Sequence, residues 1–299
     1  MLIWLLVLLL LGPAHAAGLP EQVVPGTGGQ LIIRRTSEGN QALLAVREGR
    51  RRALLNDQSL TAVPLDPIAG RPAVMVRGWT GGAYCCFQLH ILVRTNGAWH
   101  LAGRFYGGKG AEVAPVREAG SLWLPDGQLD FWDLNVSLGT DLRVPIAYRL
   151  RHGRLQPDLP AMRGSVAEAL GPTCPRRGSQ RSLRRAPPSF ASVPDAVAAL
   201  NAGVWGSDPR LAHLWRPEAE YARRALCLFH AGHGDAAMEL WRGWPEGGEE
   251  RALTLRQIRA VLSCGGFRPL WAAMHGEAHP WLGGDCTTED ADVLRNWRL

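Results

Sequence analysis

The sequence predicts an α+β protein, in which an N-terminal antiparallel β domain, a sandwich or a partial-propeller-like sheet, precedes a small α-helical domain. Two observations predict this class. From about residue 22 to 156, apolar residues alternate with polar ones or form short blocks separated by glycine, which is the period of strands joined by turns. After about residue 194, apolar residues recur at the spacing of amphipathic helices.

The first 16 residues predict a secretory signal peptide. An uncharged apolar run of ten residues, Leu2 to Leu11, precedes Gly12-Pro13 and the small-x-small site Ala14-His15-Ala16. Such a run is about half of the roughly 20 residues that span a bilayer. We therefore expect cleavage after Ala16, a periplasmic or secreted protein, and no transmembrane segment in the mature chain. An uncleaved anchor is the alternative, because no Lys or Arg precedes the apolar run.

Residues 17–160 form the predicted β domain, with hairpin turns at sites such as Asn96-Gly97. In "FQLHILVRT", residues 87–95, alternation places Leu89, Ile91 and their apolar neighbours on one face of a strand. His90 falls on the opposite, wetter face. We therefore expect His90 to be a surface residue and not a ligand.

Residues 161–193 predict a linker rich in Arg and Pro, and residues 194–299 a helical domain. The segment "RPEAEYARRALCLFHAGHGDAAMELWRGWP" predicts a helical hairpin, with one helix from about Pro217 to Ala231 and another from Asp235 to about Trp244. A third helix should end at Cys264, before Gly265-Gly266, and a short fourth helix should come after it.

The charge pattern is strongly biased towards arginine. The formal net charge is +6, Lys109 is the only lysine, and arginines cluster in the predicted linker and in a predicted hairpin turn at Arg47, Arg50, Arg51 and Arg52. Proteins that bind nucleic acid interleave basic and aromatic residues on one folded face, which neither cluster does. We expect a solvated or anion-facing surface and no nucleic-acid partner.

Disulfides are expected, because an exported chain with an even number of cysteines usually oxidises them. The six candidates are Cys85, Cys86, Cys174, Cys227, Cys264 and Cys286. We favour Cys227 with Cys264, which fall on consecutive predicted helices, and Cys174 with Cys286, which would tie the chain end to the linker.

That assignment leaves the adjacent pair Cys85-Cys86, for which two alternatives remain open. The preceding Gly81-Gly82 favours a bond between the two neighbours, since glycines permit a tight turn. Strand alternation favours side chains on opposite faces. A catalytic thiol ranks third, because the pair lacks the C-x-x-C spacing of dithiol oxidoreductases.

The segment "VMVRGWTGGAYCCFQLHIL" resembles a motif of exported, largely uncharacterised bacterial proteins, in which a strand leads to Gly-Gly-Ala-His-Cys-Cys and a second strand. The later "LDFWDLN…VPIAYRLRHGRL" is also similar, so the resemblance covers about residues 66 to 155. In those proteins an acidic glycine-rich loop resembles calcium-binding propeller repeats. Here the loop keeps Asp66 and Gly70 but lacks the other acids, and Tyr84 replaces His. The helical hairpin resembles a tetratricopeptide unit.

Other polar groups have structural explanations. His230 and His233 suit the C-terminus of a helix, and His275, Glu277 and His279 lack the H-E-x-x-H spacing of zinc proteases. Asp126, Asp130 and Asp133 fit turns and strand edges better than a calcium site. We therefore expect no catalytic residue, no metal and no cofactor.

The functional hypothesis is an exported, non-enzymatic interaction or envelope-associated module, whose partner is an envelope protein or a glycan. One alternative is an envelope-acting hydrolase or thiol-redox enzyme, which should bring titratable groups together in one cleft. The other is a glycan-binding module, since some of the 12 tryptophans would then be exposed for stacking on sugars.

Overall fold

A computed structural model describes a large part of the chain, namely residues 20–79, 87–108, 116–118, 120–125, 127, 144–171, 189–203, 217–244 and 248–283. Several predictions from the sequence lie outside these residues. They concern the signal peptide, the two adjacent cysteines, two further cysteines and the aspartate cluster: residues 1–16, Cys85, Cys86, Cys174, Cys286, Asp126, Asp130 and Asp133.

The α+β prediction is confirmed, because three antiparallel sheets precede the helices. Sheet 1 contains β1 (Glu21–Val23), β2 (Leu31–Arg35), β3 (Gln41–Arg47) and β4 (Arg50–Asp57). Sheet 2 contains β5 (Ser59–Ile68), β6 (Arg71–Trp79), β7 (Phe87–Thr95) and β8 (Ala98–Gly108). Sheet 3 contains β9 (Val116–Glu118), β10 (Ser121–Pro125), β11 (Pro145–Arg151) and β12 (Arg154–Pro157).

Each sheet is a meander whose strands pair in chain order. Four of the connections are two-residue turns in which both residues have positive φ: Glu48-Gly49, Ala69-Gly70, Asn96-Gly97 and His152-Gly153. Turns of this kind match the right-handed twist of the strands that they join. The resulting register places Arg47 opposite Arg50 in sheet 1, and Arg151 opposite Arg154 in sheet 3.

Sheet 2 is covered on both faces. Val74, Val76 and Leu92 form one hydrophobic cluster with residues of sheet 1 such as Leu31 and Leu43. The alternate residues of the same strands, including Met75, Leu89 and Ile91, belong to a second cluster with Leu122 and Ile146 of sheet 3. A face-to-face stack of meanders is common to sandwiches and to successive propeller blades.

The prediction that His90 lies on the surface is therefore wrong. Its side chain is only 3% exposed, because the face of β7 that carries His90 packs towards sheet 1. Leu92 is fully buried on that same face. Alternation correctly separated the two faces of the strand, but neither face is wet.

The described helices are α1 (Leu159–Met162), α2 (Val166–Ala169), α3 (Val193–Asn201), α4 (Pro217–His230), α5 (Gly234–Arg242), α6 (Gly248–Cys264) and α7 (Arg268–His275). The predicted helical hairpin corresponds to α4 and α5, and α6 ends at Cys264 as expected. No described helix is long and apolar enough to cross a membrane.

The helices continue the hydrophobic cluster of sheets 2 and 3. The predicted linker, residues 161–193, contains α2. Two other residues of the linker, Leu170 directly after α2 and Phe190 shortly before α3, are buried in that cluster. The predicted division into domains stays a prediction, since residues 172–188 lie outside the described residues. Because one hydrophobic cluster contains residues of both regions, the described helices share one core with sheets 2 and 3.

Candidate functional site

The two described cysteines are not available for thiol chemistry. Cys227 is buried on α4, Cys264 ends α6, and both are disulfide-bonded. The described residues hold no free thiol. The proposed pairing of Cys227 with Cys264 stays a prediction, as do the pairings of the four other cysteines.

The most buried charges form a structural network at the start of α4. Glu220 accepts hydrogen bonds from Arg223 and from Arg224, whose Nε lies 2.8 Å from Oε1. Arg224 is fully buried and its Nη1 donates to the carbonyls of Leu170 and Gly171, at 2.6 and 3.0 Å. Burial by itself raises the pKa of Glu220, but the two guanidinium groups outweigh burial and hold that pKa below its usual value.

Asp158 is a second buried acid with a structural role. Its Oδ2 accepts hydrogen bonds from Ser121 Oγ and from Arg149 Nε, both at 2.8 Å. Ser121 begins β10, Arg149 lies on β11, and Asp158 immediately precedes α1. The three side chains therefore attach the first helix to sheet 3.

The helical region brings together three histidines from two segments that are far apart in sequence, with His230 in one and His275 and His279 in the other. His230, His275 and His279 surround Phe229, with ring centroids 6.3, 4.0 and 5.3 Å from that of Phe229. Gly234 makes this packing feasible, because a Cβ there would collide with Nε2 of His279 and lie 2.9 Å from Nδ1 of His275. The sequence carries no short-range signal for this cluster.

The cluster is hydrogen-bonded to the backbone of the core. His275 Nε2 is hydrogen-bonded to the Phe229 carbonyl at 2.9 Å, and His230 Nδ1 to the Leu226 carbonyl at 2.9 Å. Burial is the main reason that the pKa of His275 falls to about 4, and a hydrogen bond to Phe229 only partly opposes it. Glu277 points away to Arg268, with an Nη2–Oε2 distance of 3.0 Å. Among the described residues, no group of three or more ligand-type side chains is arranged to hold a metal.

A histidine and an aspartate also lie beside the same glycine between sheets 1 and 2. A Cβ on Gly78 would overlap Oδ2 of Asp57 and lie 3.5 Å from Nε2 of His90, so glycine leaves the space that the Asp57 carboxylate uses. Burial raises the pKa of Asp57, although a hydrogen bond from the Gln58 amide opposes this effect. Burial, helped by the charge of Arg104, lowers the pKa of His90 to about 4. Burial thus shifts both groups towards their neutral forms.

The exposed charges have a different arrangement, concentrated at two hairpin ends. Tip 1, residues 47–50, is Arg-Glu-Gly-Arg, and tip 2, residues 151–154, is Arg-His-Gly-Arg. In each tip the two arginines lie directly opposite each other on paired strands and are exposed. Directly opposed residues of an antiparallel pair share a face of the sheet. Each tip therefore presents two guanidinium groups together.

Tip 1 is extended by a third arginine. Arg52 pairs with Ala45, two residues from Arg47, and so lies on the same face as Arg47 and Arg50. Arg51 falls on the other face, where Glu21 forms an ion pair with it. Arg47 contacts Glu48 at 3.5 Å, but both side chains are more than half exposed, and exposed pairs contribute little.

The remaining arginines of the tips form no ion pair with a described acid. Within the described parts of the chain, no ion pair forms at Arg50, Arg52, Arg151 or Arg154. The sequence identified the cluster at tip 1, for which a solvated or anion-facing surface was expected, but tip 2 was missed. A repeated R-x-G-R turn was the signal that would have found both.

Comparison with known proteins gives no match. No protein-family model matches the chain, no curated protein is significantly similar to it, and no solved structure matches it.

Proposed function

We propose that the protein is an exported, periplasmic or secreted interaction module, without enzymatic activity, that binds an acidic glycan polymer of the cell envelope. The observation that carries this proposal is the pair of R-x-G-R tips. Two exposed arginines face each other in each tip, and four of the five tip-region arginines, including Arg52, lack an acid partner among the described residues.

The contrast between buried and exposed charges supports binding over catalysis. The buried acid Glu220 holds the buried side chain of Arg224 in the core. The buried acid Asp158 binds the half-exposed Arg149, and the clustered histidines pack against an aromatic ring. Among the described residues, the tip arginines make no buried ion pair or buried hydrogen bond of this kind. Unpaired guanidinium groups on a surface attract anions and bind their oxygens through directed hydrogen bonds.

The surface chemistry favours an acidic polymer over a lipid membrane. Proteins that insert into the membrane interface use Trp, Phe and Leu beside their basic residues. The exposed large apolar side chains of the described region are Val23, Val63 and Leu101, which lie on three different strands. Most described tryptophans are buried, namely Trp99, Trp241, Trp244, Trp271 and Trp281, so a glycan would be bound by charge and not by stacking.

Charge reversal at the tips tests the proposal. In the double variant Arg50→Glu/Arg154→Glu, each tip acquires an acid opposite its remaining arginine. Opposite charges across a strand pair stabilise by about 0.2–1 kcal/mol, so the variant should fold with unchanged or slightly higher stability. Its affinity for immobilised polygalacturonate or dextran sulfate should fall at least about tenfold, or about 1.4 kcal/mol.

The matched control is Arg242→Glu/Arg256→Glu, which changes the net charge equally at exposed helical positions. Its affinity should stay near that of the parent protein, and neither protein should bind neutral dextran. An equal loss in the control would mean that net charge alone matters and would refute the tips as the site. Stronger tip-dependent binding to duplex DNA or to phosphatidylglycerol vesicles would refute the acidic glycan as partner.

A further inference from the structure

In each tip, the two paired arginines place like charges opposite each other at short range. The paired residues next to a two-residue turn have Cα atoms about 5.5 Å apart, and like charges placed directly opposite each other destabilise a strand pair. Both Arg47/Arg50 and Arg151/Arg154 nevertheless occupy this position. An anion between the guanidinium groups would remove the repulsion.

The turn itself does not require arginine at these positions. The other two turns of the same backbone type, Ala69-Gly70 and Asn96-Gly97, have the flanking pairs Ile68/Arg71 and Thr95/Ala98. The single arginine of these pairs forms a hydrogen bond within the same sheet, since Arg71 Nη1 donates to Thr95 Oγ1 at 3.0 Å. The opposed pair is therefore a feature of the two tips and not of the hairpin geometry.

The chemistry of the pair selects one class of anion. A guanidinium group donates two parallel hydrogen bonds to a planar carboxylate, and this bidentate contact uses both carboxylate oxygens. A phosphate or sulfate ester is tetrahedral and has further oxygens that a second guanidinium group can reach. Two opposed arginines thus fit a tetrahedral oxyanion better than a carboxylate.

We infer that each R-x-G-R tip binds one tetrahedral oxyanion, a phosphate or sulfate ester carried by the acidic polymer. This inference rests on the proposed function and specifies its ligand. Tip 2 is the stronger of the two sites, because His152 stands where Glu48 places a negative charge in tip 1.

The test uses the mature protein with two polymers that differ only in the anion. Dextran sulfate and carboxymethyl dextran of equal chain length and charge density share one backbone. We expect the parent protein to bind dextran sulfate at least fivefold more tightly, roughly 1 kcal/mol. A phosphate-bearing polymer, inorganic polyphosphate of the same length, should bind like dextran sulfate.

Lysine substitutions separate geometry from charge. The variant Arg47→Lys/Arg50→Lys/Arg151→Lys/Arg154→Lys keeps every positive charge but loses the bidentate donors, so it should bind both dextrans with similar affinity. The control Arg242→Lys/Arg256→Lys should keep the preference. Thermal unfolding of each variant shows whether its fold is intact. If the quadruple variant does not fold, the single substitution Arg154→Lys replaces it and should reduce the preference for dextran sulfate at least twofold.

The outcomes distinguish this inference from the proposed function. Equal affinity of the parent for both dextrans would overturn the oxyanion preference while leaving acidic-glycan binding in place. A preference that survives the lysine variant would also overturn it. Binding to neither polymer would overturn both proposals together.

Discussion

Ala69 has a backbone conformation that disfavours alanine. It occupies the first position of a two-residue hairpin turn with φ of 49°, where the equivalent residue in the next two-residue hairpin of sheet 2 is Asn96 with φ of 51°. The left-handed region costs an ordinary L-residue about 1–2 kcal/mol, whereas Asn visits it more readily. Ala69 is exposed, so its side chain has no core contact to offset this cost.

The substitution Ala69→Asn should therefore stabilise the protein. We expect the free energy of unfolding to rise by about 0.5–1 kcal/mol, since Asn-Gly is a preferred pair for this turn. The reverse change, Asn96→Ala, should lower it by a similar amount, and urea unfolding at constant m-value measures both. A stability decrease for Ala69→Asn would contradict the assigned turn conformation.

At the scale of elements, the contact between α2 and α4 depends on one buried arginine. The last carbonyls of a helix have no partner within the helix, and here Arg224 of α4 donates to the carbonyls of Leu170 and Gly171 after α2. Its guanidinium carbon also lies 5.0 Å from the ring centre of Phe190. The arginine thus fixes α4 against two parts of the predicted linker, residues 161–193, one at Leu170 and Gly171 and the other at Phe190.

Removing this arginine should be costly, and removing its acid partner as well should restore part of the loss. Breaking a buried ion pair from one side costs about 3–5 kcal/mol, while well-packed apolar replacement of both partners is often nearly neutral. We expect Arg224→Met to lose stability in that range and Glu220→Leu/Arg224→Met to lose clearly less. Arg242→Met, at an exposed position, is the control. A double variant no more stable than Arg224→Met would show that the carbonyl contacts of Arg224, or the ion pair of Glu220 with Arg223, dominate.

At the scale of the whole molecule, neutral histidines occupy both hydrophobic clusters. His90 lies between sheets 1 and 2, and His275 packs on Phe229 in the helical region. Burial is the first cause that lowers the pKa of each to about 4. The fold therefore binds fewer protons than the unfolded chain between about pH 6.5 and pH 4, which makes stability depend on pH.

Stability should be highest above pH 6.5, fall as the pH decreases towards 4, and change no further through these groups below that value. For His90, a shift from 6.5 to about 4 corresponds to about 3 kcal/mol at most. The variant His90→Gln should lose that part of the pH dependence, as measured by urea unfolding at pH 7 and pH 4. His100→Gln, at an exposed position, should keep it. A parental pH profile in His90→Gln would refute the assignment.

Particular residues show how far the sequence could be interpreted. The helical hairpin and the end of α6 were predictable because helical periodicity and glycine stops are local. The position of His90 was not, because alternation separates two faces but says nothing about what covers each face. The histidine cluster was not predictable either, since His230 and His275 come together only through the packing of α4 against α7. The opposed arginines required the strand register.

The sequence by itself determined the class of fold, the turns and the excess of arginine, because these depend on residue spacing and composition within a few turns of chain. The tertiary structure alone decided which polar groups are buried together and which arginines face each other in solvent. Burial and strand register bring together residues distant in sequence, and the cost of burying an unpaired charge directs the remaining arginines outward.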